Sequence, residues 1–453
     1  MDTTKRSTVA ALGLLLLLFP SALAGQSTPQ QGKPTVRHHR VPVSPPAEDI
    51  YTPALIQAEG ALEKKNYSQA ETLLKQVLAA NDKNYRAWYD LGWLYANTNR
   101  KPDALTALRK SVALKPDAFE ANADLGTLLA YGDDRAEAVA YLRKATGLKP
   151  LRLEAAAGQL ASVWMSLGSA LAPSSPSEAV AAFRQAARLR PNDNTFLEPY
   201  IAAGQVLLDQ KNYAEAQKEY ERIVELRPRF TLGVEGLTTA LIAQKKFTEA
   251  EAVLRRHLAI DPQDATAHMR LGRLQVMNQR YEDAVGEFSA ALKVDPDNRE
   301  TKRELASAAA QAKKYDIAEN LYRELAQAEP QNAEIHFALG TLLMNARKFA
   351  AAEPELIQAL KLDAKLTDGY GNLAVVASEN QHYELALRAL DARAQLVPDN
   401  PGTYFLRATC YDHLKAFKQA SENYRKFLEV AEGKFPTQEW QAKHRLIAIE
   451  PKK

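Results

Sequence analysis

After residue 50, apolar residues recur at spacings of three and four, in stretches of helix length separated by short polar turns. That spacing gathers them on one face of a helix. The stretches come in pairs, and an alanine marks each pair: Ala70, Ala104, Ala138, Ala179, Ala216, Ala250, Ala284, Ala318, Ala352, Ala386 and Ala420. The steps between them are 34, 34, 41 and 37, then 34 six times. So many equal steps do not arise by accident. The chain reads as about eleven copies of one helix pair.

Other positions keep the step. With the alanine as position 20, position 8 is Gly92, Gly126, Gly168 (once one residue is deleted from the loop of its repeat), Gly204, Gly272 and Gly340, or alanine at Ala58, Ala306, Ala374 and Ala408. Small residues at positions 8 and 20 let two helix backbones approach. Position 32 is proline eight times, from Pro116 to Pro398, where a missing N–H stops one pair from running into the next. A lone pair cannot bury its apolar face, so neighbours must stack.

This register resembles the tetratricopeptide repeat, with its W-x-x-L-G-x-x-Y…A…P pattern. The second unit is nearly complete in Trp88, Leu91, Gly92, Tyr95, Ala104 and Pro116. The resemblance covers residues 51–434. It implies an all-α fold, a right-handed superhelical α-solenoid of about eleven helix-turn-helix units, and says little about function.

The array is not uniform. Units 1–3 occupy 51–152, an irregular fourth unit with insertions occupies 153–196, and units 5–11 occupy 197–434. The sequence predicts one long first helix over Leu151 to Leu171, then an interruption at Pro173-Ser174-Ser175-Pro176. A bend between the two regular runs is expected there. Residues 435–453, with Trp440, Leu446 and Ile447, read as a C-terminal capping helix.

The N-terminus has a different pattern. Lys5 and Arg6 precede an apolar run from Val9 to Phe19, and Ala22-Leu23-Ala24 follows: residues 1–24 read as a cleavable signal peptide. The run is too short to span a bilayer as a helix, and retention as an anchor is the rival reading. Residues 25–50, rich in proline and carrying His38-His39, read as a disordered linker. The expectation is an exported protein, periplasmic or extracellular, with no membrane span in the mature chain.

Composition removes several functions. The 58 basic and 55 acidic residues nearly cancel, so the sequence offers no basic excess for nucleic acid. Cys410 is the only cysteine, which excludes an intrachain disulfide and any cysteine-built zinc site. No phosphate loop, zinc helix or nucleophile elbow occurs, and the histidines beyond the linker lie in separate repeats. His268 and His336, both at position 4, read as packing residues. Asn66-Tyr67-Ser68 fits a glycosylation sequon but reads better as a turn. Neither cofactor nor metal is expected, and no enzyme. A hydrolase hidden in the fourth unit finds no paired acid, base or nucleophile to support it.

The resemblance implies that first helices line a concave groove through positions 2, 5, 6, 9, 12 and 13. Candidate partner-binding residues are then Tyr89, Asp90 and Trp93, with Asp124 and Tyr131 from the next unit. Exposed aromatics beside carboxylates suit an apolar or basic peptide, or a sugar ring. The plainer reading has these side chains fill space between first helices. Arg270, Arg273 and Arg303 cluster further along, able to hold an anion unless Glu300 and Glu304 neutralise them. Position 6 holds one asparagine, Asn372, and no ladder of them. The expected role is a scaffold for unidentified protein or peptide partners, supporting envelope assembly or secretion. The alternative is polysaccharide binding or export.

Overall fold

The structure is a computed structural model that describes residues 51–130, 132, 134–150 and 156–449. Tyr131 and the expected signal and linker segments, 1–24 and 25–50, lie outside the described residues. All regular structure among the described residues is helical. The chain divides by its contacts into two compact units at Arg227/Pro228, whereas its sequence irregularity falls at residues 153–196.

Among the described residues the first unit holds five helix pairs. These are α1 (Pro53–Glu63) with α2 (Tyr67–Ala80), α3 (Tyr85–Asn97) with α4 (Lys101–Leu114), and α5 (Phe119–Ala130) with α6 (Arg135–Thr146). Then come α7 (Ala156–Leu171) with α8 (Pro176–Leu189) and α9 (Glu198–Asp209) with α10 (Tyr213–Leu226).

The second unit continues with α11 (Thr231–Ala243), α12 (Phe247–Ile260), α13 (Ala265–Met277), α14 (Tyr281–Val294), α15 (Arg299–Gln311) and α16 (Tyr315–Ala328). It ends with α17 (Ala333–Asn345), α18 (Phe349–Leu362), α19 (Thr367–Glu379), α20 (Tyr383–Ala394), α21 (Pro401–His413), α22 (Phe417–Ala431) and α23 (Pro436–Ile449). Within each unit every helix packs on the next, and alternate helices also touch.

The repeat register explains the packing. All eleven position-20 alanines are fully buried. At position 8, a Cβ on Gly92 would lie 2.7 Å from Leu108, and one on Gly272 would lie 2.7 Å from Phe288. The bulky partner always occupies position 24, so glycine and a large side chain form one joint.

Two further devices shape the turns. First helices end in a Schellman arrangement: Arg100 N–H donates to the Tyr95 carbonyl at 2.8 Å, with Asn99 left-handed at φ 63. The same position is Lys65, Lys211, Lys245, Gln279, Lys313, Arg347, Gln381 or Lys415 elsewhere, all left-handed. In four repeats position 4 supplies an N–H that ties the first helix to the turn before it. Trp88 Nε1 donates to the Asp82 carbonyl at 2.8 Å, Asn122 Nδ2 to Pro116 at 3.0 Å, His268 Nε2 to Pro262 at 3.1 Å and His336 Nε2 to Pro330 at 3.2 Å.

The insertions around the fourth unit leave the register intact. Arg109 pairs with Glu137 at 2.6 Å, Arg143 with Glu178 at 2.5 Å and Arg184 with Glu215 at 2.8 Å, always position 25 to position 19 of the next unit. The sequence separations are 28, 35 and 31, so extra residues loop out while the partners stay matched. α7 has 16 residues; the rest of its expected length, 151–155, lies outside the described residues. At the C-terminus, α23 packs Ala442, Leu446 and Ile449 onto the cluster of Ala408, Tyr424 and Phe427. Trp440 and Ile447, expected to help cover that cluster, instead point outward, 60% and 73% exposed.

Candidate functional site

First helices within a unit stand side by side, and their groove positions meet across the interface. Position 9 of one unit reaches position 6 of the next. Thr127 Oγ1 donates to Ser166 Oγ at 3.1 Å, Arg270 Nη1 to Thr239 Oγ1 at 3.3 Å, Arg273 Nε to Glu304 at 2.7 Å and Asn372 Nδ2 to Thr341 Oγ1 at 2.9 Å. Asn372 therefore serves its neighbour helix.

In the first unit the expected aromatic platform is corrected. Tyr89 and Trp93 are buried, 5% and 7% exposed. The Tyr89 hydroxyl donates to Asp124 Oδ2 at 2.9 Å, and the Trp93 ring packs 6.4 Å from that of Tyr67. A ring enclosed between adjacent helices cannot stack on a sugar, so the space-filling reading holds for both. Asp90 is fully buried, 3.5 Å from Arg86 Nε, and Arg86 also donates to Glu59 at 3.2 Å. Burial alone would lower the Arg86 pKa, but Asp90, Tyr89 and Glu59 outweigh it and hold the guanidinium charged. At Asp124, burial raises the carboxyl to about 7; Tyr89 opposes the shift and Glu120 adds to it. The Tyr131 expectation falls on a residue outside the described ones.

In the second unit Arg270 lies within electrostatic reach of Arg273, and each of the three arginines is matched by a carboxylate. Arg273 contacts Glu300 at 2.5 Å and Glu304 at 2.6 Å, the neutralisation the sequence anticipates. Arg303 pairs with Glu329 at 3.0 Å. Arg270 lies 3.5 Å from Glu235, a partner that sequence reading missed. Burial lowers the Arg270 pKa and Arg273 adds repulsion, with Glu235 acting against both. An anion entering here must displace a carboxylate.

Each unit also exposes apolar side chains at groove positions, which were not anticipated. Ile56, Val276, Met277 and Val375 occupy groove positions 6, 12, 13 and 9 and are 36–47% exposed. The register places them on the groove face but does not by itself tell which groove positions stay uncovered.

Family models described as tetratricopeptide repeat match residues 57–119, 201–265, 303–367 and 241–308, together just over half of the chain. The chain belongs to the tetratricopeptide-repeat family. Solved tetratricopeptide-type structures resemble it at low identity. YrrB, described as a TPR protein with an unusual peptide-binding site, is 20% identical over 40% of this chain and 93% of its own, with a TM-score of 0.37. Yeast Tom70 is 16% identical over 87% and 94%, at 0.31, and Pseudomonas aeruginosa pilF is 20% identical over 51% and 99%, at 0.38. Among curated proteins none matches. Repeats of this family serve generally as scaffolds that bind proteins or peptides. No described helix is long and apolar enough to cross a membrane.

Proposed function

We propose that the chain is a non-catalytic scaffold that holds protein or peptide segments along its first helices. The observation that carries this reading is the set of exposed apolar side chains, Ile56, Val276, Met277 and Val375, at groove positions whose polar neighbours are committed to each other. An extended or helical segment gains by covering such residues, at roughly 25 cal/mol per Å² of apolar surface. The burial of Tyr89 and Trp93 counts against the polysaccharide alternative.

Export is the second part of the proposal, supported by the Lys5-Arg6, Val9–Phe19 and Ala22-Leu23-Ala24 pattern. Work in the envelope or in secretion follows from that location. N-terminal sequencing of the mature chain should begin at Gly25; an intact Met1 on protein that stays with the cytoplasmic fraction removes the exported role.

The binding face is tested by a photo-reactive residue placed singly in the cell. Met277 and Val375 should cross-link partner proteins, while Val294 and Ile317, exposed on second helices, should not. Equal yields from both faces reject the groove.

A further inference from the structure

Two positions that the repeat uses for packing turn to arginine at one joint, between α20 and α21. Position 27 is buried in ten pairs, among them Val77, Ala145, Ile223, Leu325 and Phe427, and is the half-buried Arg393 in the tenth. Position 7 is leucine in eight pairs and Arg407 in the last. Arg407 is buried and donates to Asp391 of α20 and, at 3.4 Å, to Asp399. Burial opposes its charge, but Asp391 and Asp399 outweigh burial and hold its pKa up. The second Asp399 oxygen is buried with no hydrogen-bond partner among the described residues. A buried ion pair of this kind holds no more firmly than well-packed apolar side chains, and often less.

Arg393 disturbs the helix that carries it. Its side chain lies along the bare backbone of Gly371, with Nε 3.8 Å from where a Cβ would stand, and Nη1 reaches the Pro398 carbonyl at 3.5 Å. α20 has 12 residues, where the other second helices of this unit have 14 or 15. Leu396, just beyond it, is 42% exposed.

The buried core divides at the same place. One cluster runs from Ala284 to Leu390, and another joins Ala408, Tyr424 and Phe427 to Ala442 of α23. Between them lies a small patch of Ala377, Ala386, Leu387 and Cys410. The terminal piece is tied to itself: Phe405 packs 5.1 Å from Phe427, and Arg445 of α23 donates to Asp412 of α21 at 2.9 Å. Asn400 and Thr403 form a capping box that starts α21 afresh.

We propose that α21, α22 and α23 open from α20 as one piece, and that Cys410, enclosed in this joint, meets solvent when it opens. Cohesion among the three helices exceeds cohesion across the joint, so opening stops there instead of fraying inward helix by helix. Burial raises the Cys410 thiol, which keeps it unreactive while the joint is closed. α19 and α21 touch as neighbouring first helices, so an open joint shortens the groove by one repeat. That consequence rests on the groove reading; the opening itself does not.

The test uses the full chain, whose one cysteine is the probe. Amides of α21, α22 and α23 should exchange together, through an opening at least about tenfold more populated than that of α13–α18. Labelling of Cys410 by dithionitrobenzoate should report the same opening. Arg393→Ala, Asp399→Asn and Arg407→Leu together return the joint to apolar packing and should slow labelling about tenfold, with α13–α18 exchanging as before. The proposal is overturned by a thiol that labels no faster than α13–α18 open, by exchange that spreads inward from α23 while α21 stays as protected as α17, or by a folded variant that labels at the parent's rate. If the variant fails to fold, the parent's exchange pattern decides alone. Binding or failure of a groove peptide leaves these outcomes unchanged, so the two readings fall separately.

Discussion

The two compact units use the same helix positions for different electrostatics. In the first, groove positions build an acid-rich chain from Glu59 through Arg86 and Asp90, with Tyr89 tied to Asp124 alongside. In the second, arginine and glutamate alternate, so that Arg273 answers Glu300 and Glu304, Arg270 answers Glu235, and Arg303 answers Glu329. Packing does not differ in the same way. Gly126 against Leu142 in the first unit and Gly340 against Leu356 in the second are the same joint, 2.6 and 2.7 Å from a hypothetical Cβ. Register decides which atoms meet, and residue choice at the meeting points decides what the surface recognises. Scaffold and recognition vary independently.

The sharpest way to break this contrast is to remove one guanidinium from each unit. Arg86→Met leaves Glu59 and Asp90 enclosed, at 5% and 0% side-chain exposure, and should cost about 3–5 kcal/mol in urea unfolding. Arg273→Met should cost less, about 1–2 kcal/mol, since Glu300 is 62% exposed and can turn to water, and only Glu304, 26% exposed, is left partly enclosed. Matching losses would mean that the two networks are energetically alike.

Packing should respond equally on both sides. Ala138→Leu and Ala284→Leu each overfill a fully buried joint and should each cost about 1–3 kcal/mol. A large difference between their urea midpoints would show that the joints are not equivalent.

Asp124 gives the first unit a pH response. Its folded pKa, about 7, lies above the ordinary 3.8, so the native state holds the proton more tightly than the unfolded chain. Stability from this group is full below about pH 4 and is lost as pH rises towards 7. Asp124→Asn should therefore melt higher than the parent at pH 8, with the gap narrowing as pH falls and closing by about pH 4. A gap independent of pH would remove the assignment. The smallest effect belongs to the outer face: Arg109→Ala should change stability by about 0.5 kcal/mol or less, because Arg109 and Glu137 are 44% and 35% exposed.

Much of the fold was legible because the repeat multiplies its own evidence. Ala284 alone says little; eleven alanines in register identify a joint, and the glycines at position 8 identify its other half. The polar pairs were written in the same register but were harder to see. Glu71 with Arg100, Glu251 with Arg280, Glu319 with Lys348 and Glu353 with His382 all lie 29 residues apart, a spacing visible only once neighbouring second helices are known to touch. His268 and His336 were readable as packing residues, but the proline carbonyl each one bonds, Pro262 and Pro330, was not. Exposure was the least legible property. Trp93 and Ile56 both occupy groove positions, yet Trp93 is 7% exposed and Ile56 47%: α3 stands between α1 and α5 with Trp93 against Tyr67, whereas no described helix precedes α1.

Hydrogen exchange on the full chain, with and without a peptide selected from a random display library, tests the central claim most directly. Slower exchange should fall on first helices, α3 and α5 or α13, α15 and α19, while α4, α6, α14 and α18 stay unchanged. Protection concentrated on the second helices would contradict the account.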